Sequence, residues 1–149
     1  MTTAVDKLTR ALEGLIALLL FGMFSMIATL VLLRYVFATT IIGGNEATIV
    51  AFIYTTAIGA SIGIARDEHI AISYFVEKFS ADKQQFLQKV RLVLLALVNA
   101  AIAYFAFAWI SRTGGFLMPT LGVPQMLAQI SVPLSGILST MYCLVRLLR

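Results

Sequence analysis

Apolar residues run almost unbroken through four stretches of the chain, and polar residues gather at their ends. The first stretch extends from Ala11 to Leu33, preceded by Lys7 and Arg10 and followed by Arg34-Tyr35-Val36-Phe37. Basic residues ahead of an apolar run also mark signal peptides. This run is longer than a signal core, and no small-residue cleavage pattern follows it, which predicts a retained span over about 12–38. Gly43-Gly44 then punctuates a tight connection. A second run from about Glu46 to Ala65 predicts a span over 46–66, closed by Arg66-Asp67-Glu68-His69.

Between the second and third runs the pattern changes. Ile72, Phe75, Val76 and Phe79 recur at helical spacing with Ser73, Glu77 and Lys78 between them, as in a helix lying along a membrane surface. Ser80 before Ala81-Asp82 suits the cap of a third helix. That helix, running to about Ser111 with its span over 84–111, would be ~46 Å long, more than a hydrocarbon core needs. Thr113-Gly114-Gly115 ends it, and Met118-Pro119 and Gly122-Val123-Pro124 form a loop. A fourth span over 124–148 contains Pro133, which membrane helices tolerate when neighbours satisfy the freed carbonyl. The expectation is an all-α membrane protein: one domain over 1–149, four transmembrane helices, and a cytoplasmic interfacial helix between spans two and three.

Composition agrees, since 60% of the 149 residues are hydrophobic and 12% charged, too much apolar surface for a soluble domain of this size to hide. The net charge of +4 falls at span ends and forms no basic patch, so a nucleic-acid partner is not expected. Lys7, Arg10, Arg66, Lys78, Lys83, Lys89, Arg91, Arg146 and Arg149 lie on one side of the predicted topology, and Arg34 and Arg112 on the other. Such a bias places both termini and the middle loop in the cytoplasm of a bacterial inner membrane. Tyr35, Phe37, Tyr104 and Trp109 fit an aromatic belt at the opposite surface.

Small residues provide the packing signals. Ala51, Thr55, Gly59 and Gly63 repeat every four residues on span two, Ser131, Ser135 and Ser139 do so on span four with Gly136 beside them, and Gly22, Ser25 and Thr29 share a face of span one. Helices in lipid approach closely through such faces, either within the chain or against a larger membrane partner. Spacing alone leaves both open. Arg34 and Glu46, at neighbouring span ends, either pair across the hairpin or reach separately to water.

Chemistry is sparse. His69 has no second ligand at metal spacing, and the single cysteine, Cys143, has no disulfide partner. No catalytic residues, substrate site, metal site or cofactor are expected. No ionisable residue falls deep within a span, where transporters of ions or protons place carboxylates.

The run Arg34-Tyr35-Val36-Phe37, the loop, Glu46, Gly59-Ala60, Arg66 and His69-Ile70 resembles the small membrane subunit of tripartite ATP-independent periplasmic (TRAP) transporters, the DctQ-like family. Length, four spans and the long third helix match as well. Members often carry a tryptophan and two adjacent acidic residues at the start of span two, where this chain has Gly43-Gly44-Asn45-Glu46. The resemblance implies a non-catalytic scaffold bracing a large membrane subunit and helping a periplasmic substrate-binding protein to dock during sodium-driven uptake of an organic acid. Arg34, Glu46, Gly59, Gly63, Arg66 and His69 are its candidate structural or partner-interface residues, with membrane lipid as the surrounding solvent. The alternative is an independent exporter resembling small multidrug-resistance proteins, with Glu13 as the coupling carboxylate.

Overall fold

A computed structural model describes residues 3–66 and 81–148. Helix α1 spans Thr3–Val36, α2 Gly44–Arg66 and α3 Ala81–Thr113; a single turn, α4, covers Met126–Gln129, and α5 covers Ser131–Leu147. Four helical stretches (Val5–Val36, Gly44–Arg66, Lys83–Thr113 and Met126–Leu147) are long and apolar enough to cross a membrane. The expected surface helix over Ile72–Phe79, the Ser80 cap and His69 lie outside the described residues.

The helices form a series. α1 packs on α2, α2 on α5 and α5 on α3, whereas α1 and α3 share no extended packing face. α2 and α5 are therefore flanked on both sides, and α1 and α3 are the outer members. The most apolar window of α1 contains no buried residue, and Leu18, Phe21, Phe24 and Leu32 are exposed along it. In water such surface would be untenable; in hydrocarbon it costs nothing.

Two classes of small residue set the spacing. On α2, Thr55 and Gly59 face α1: the Thr55 hydroxyl lies 4.0 Å from Met23 Sδ, and Ile16 Cδ1 would be 3.8 Å from a Cβ at position 59. The other side of α2 meets α5 through a knot of hydroxyls. Ser61 Oγ, fully buried, lies 3.1 Å from both the carbonyl oxygen and the hydroxyl of Ser135, and accepts a 3.3 Å hydrogen bond from Ser139. α5 approaches α3 through Gly136, where an added Cβ would stand 2.8 Å from the Asn99 carbonyl oxygen and 3.0 Å from Ala103 Cβ. No side chain fits there.

α1 begins well before its apolar run because its first turns have a partner. Val5 packs against the cluster of Ile64, Tyr142 and Cys143, and buried Thr9 meets the Tyr142 hydroxyl at 3.1 Å. The fourth span is divided at Ile130, where the sequence predicted one helix. Pro133 has no N–H to offer the Gln129 carbonyl four residues earlier, which interrupts the ladder at that point. Ser131 Oγ bonds the Ala128 carbonyl at 2.6 Å across the joint.

Candidate functional site

The carboxylates among the described residues stand towards the two ends of the helix series, and each end is tied by one of them. At the end holding the start of α1 and the ends of α2 and α5, Glu13 forms an ion pair with Arg66. The antiparallel α1–α2 hairpin makes this possible, since it sets the third turn of α1 beside the last turn of α2. The same end holds Arg146, whose guanidinium lies 3.5 Å from the Ile64 carbonyl at the end of α2. Sequence spacing did not connect Glu13 with Arg66; counting back from the hairpin turn would have placed them at similar depth.

At the opposite end, Glu46 stands in the first turn of α2, where a negative charge complements the helix dipole. Its carboxylate does not meet Arg34, which is exposed at the end of α1. It reaches instead to the 114–125 loop, accepting the Thr120 N–H at 3.0 Å, the Thr120 hydroxyl at 2.8 Å and the Leu121 N–H at 2.7 Å. The loop is shaped to present those donors. Leu117 and Pro124 form an isolated antiparallel bridge, and Gly122, at φ +68°, turns the chain between Met118 and Val123. Leu121 then seats on Gly43, where a Cβ would be only 2.5 Å from Leu121 Cδ2 and where φ is +81°. The positive φ favours glycine at 43, and a side chain there would also push Leu121 from its seat. Tyr54, two turns further along α2, donates its hydroxyl to the Leu127 carbonyl at 2.6 Å. The connection between α1 and α2 is thus locked to the connection between α3 and α4 by a carboxylate clamp, a leucine and a tyrosine.

Beneath the clamp is a cavity of about 280 Å³ lined by Glu46, Ile49, Val50 and Ile53 of α2, Trp109 of α3, and Met118, Gln125, Ala128 and Gln129. Among the described residues no group of histidine, cysteine, aspartate and glutamate could hold a metal ion. Gly59 and Gly63 lie half-buried on α2, Gly59 towards α1. No described polar side chain is arranged as a nucleophile with a base beside it. The two carboxylate ties, Glu13 with Arg66 and Glu46 with the 114–125 loop, hold the helix series at opposite ends.

Residues 23–149 match the family model of the DctQ component of tripartite ATP-independent periplasmic transporters. The chain belongs to this family. A search of the curated proteins finds no match. Membership covers the hairpin connection, the Glu46 clamp, the knot of serines and the divided fourth span, and it makes the chain a small, multi-pass membrane component of a TRAP transporter. In this DctQ member the Gly43-Gly44-Asn45-Glu46 segment places a single carboxylate in the clamp. A family of tripartite transporters implies further TRAP components as partners.

Proposed function

We propose that this chain is the scaffold of its transporter: a non-catalytic subunit that braces the large membrane subunit and shapes part of the surface on which a periplasmic substrate-binding protein docks. The observation that carries the reading is the distribution of charge in a member of this family. The described carboxylates, Glu13 and Glu46 among them, stand towards helix ends, and the middle of each span lacks an aspartate, glutamate, lysine, arginine or histidine. Substrate and sodium would then be handled by the large subunit, and the cargo would be an organic acid.

The basic bias supports a bacterial inner-membrane location with both termini and the 67–80 segment cytoplasmic. The Glu46 clamp would then face the periplasm, where it holds two connections in fixed relation for a docking partner. Gly63 and Arg66 would belong to the cytoplasmic half of α2. The outer helices α1 and α3, exposed along their apolar lengths, offer the area for contact with the large subunit.

Affinity purification of the tagged chain from its own membranes in mild detergent tests the proposal. A much larger polytopic protein in stoichiometric amount is expected. Recovery of the chain alone or as a small homodimer, from cells shown to express a large TRAP subunit, would refute it.

A further inference from the structure

The cavity under the Glu46 clamp contains two acceptors and no cation. Glu46 takes its hydrogen bonds from neutral donors, so its charge remains, and no lysine or arginine among the described residues pairs with it. The second acceptor is Gln129, 6% exposed. Its Nε2 donates to Thr113 Oγ1 at 3.0 Å, and the Thr113 hydroxyl hydrogen is already directed to the Trp109 carbonyl at 3.0 Å. Thr113 therefore cannot also donate to the amide, which fixes the amide's orientation. Gln129 Oε1 is left buried with no donor among the described residues, an arrangement that native proteins rarely leave uncompensated.

Trp109 lines this cavity and also a second one. A groove of about 470 Å³, almost wholly apolar, runs along α3 past Val98, Ala101, Ile102 and Phe105, with Val132 of α5 on its other bank. Val98 to Trp109 corresponds to ~16 Å of helix, close to the length of an acyl chain in one leaflet, about half the hydrocarbon thickness. An apolar groove of leaflet length, ending at a carboxylate without a cationic partner and an unsatisfied amide oxygen, has the form of a bound phospholipid with a donor at its head.

We infer that the groove and cavity together form a site for a phospholipid with a primary-ammonium headgroup, the ammonium lying between Glu46 and Gln129 and one acyl chain along α3. A primary ammonium has three N–H donors and a positive charge. It answers both acceptors at once, with the Gln129 amide turning slightly to meet it. A choline headgroup has the charge and no donor; a glycerol headgroup has donors and no cation. The inference rests on the cavity and groove alone and is independent of the scaffold reading.

Native mass spectrometry of the full chain, equilibrated with equimolar phosphatidylethanolamine and phosphatidylcholine of identical acyl chains, tests the site. The expected result is retention of the ethanolamine lipid over the choline lipid by roughly tenfold, the scale of a charge-assisted hydrogen bond. Glu46→Gln and Gln129→Met should each bring the ratio close to one. Gln129→Met leaves the carboxylate clamp intact, so its effect does not depend on the loop. Ala101→Phe, which fills the groove from a lipid-facing position, should reduce retention of both lipids while the helical circular-dichroism signal stays unchanged. Equal retention by the wild type, or a preference that survives both Glu46→Gln and Gln129→Met, would overturn the inference. So would replacement of the lipid in the assembled complex by a basic side chain cross-linked to Glu46.

Discussion

At Gly136 the two inner faces of α3 and α5 come so close that a methyl group would stand 2.8 Å from the Asn99 carbonyl oxygen. Gly136→Ala should separate the helices and destabilise the chain by about 1–3 kcal/mol, the usual range for overpacking, read as an earlier unfolding transition in detergent. Ser61→Ala should cost less, about 0.6 kcal/mol, since buried hydrogen bonds between membrane helices contribute modestly. Its check is the same transition compared with Ser139→Ala and the double variant, where non-additivity would report the shared Ser61–Ser139 bond. The every-fourth-residue serines on span four were visible in the sequence. Their partner was not, because Ser61 lies off the Ala51-Thr55-Gly59-Gly63 stripe and carries no periodic signal of its own. The Glu46 bond to Thr120 and Leu121 was equally invisible: the residues are more than 70 positions apart, and backbone donors have no sequence signature.

Between elements, α2 packs on two helices by different means. Towards α1 it presents Thr55 and Gly59; towards α5 it presents Ser61. Gly59→Leu should displace Ile16 and loosen α1 while leaving the α2–α5 contact in place. Hydrogen exchange should rise in α1 and stay low around Ser61 and Ser135; a uniform rise across all helices would contradict the series arrangement. The four spans were legible because lipid demands about 20 apolar residues per crossing, a signal strong enough to survive without tertiary context. The division of the fourth span at Ile130 was less so. A membrane proline can be absorbed by a kink or by a break, and the choice here falls with Ser131, Gln129 and the loop contacts ahead of them. Pro133→Ala should supply the missing ladder bond, seen as a new amide at 133 that is as protected from exchange as its helical neighbours.

On the scale of the whole molecule, an open series of helices with apolar outer members suits a component made to be built into something larger. The exporter alternative required a carboxylate available for proton coupling. Glu13 is instead engaged by Arg66 near one end of the hairpin, so Glu13→Gln should leave cellular drug tolerance unchanged while weakening the tie between α1 and α2. Family membership over residues 23–149 assigns the chain to a multicomponent transporter, and the charge distribution supports a division of labour in which it conducts nothing itself. Reconstitution tests that claim most directly. Liposomes containing this chain alone, its large membrane partner alone, or both should be compared for sodium-gradient-driven uptake in the presence of the loaded substrate-binding protein. The account predicts no uptake by this chain alone and full uptake only with both membrane subunits. Substrate accumulation in liposomes holding this chain without its partner would contradict it.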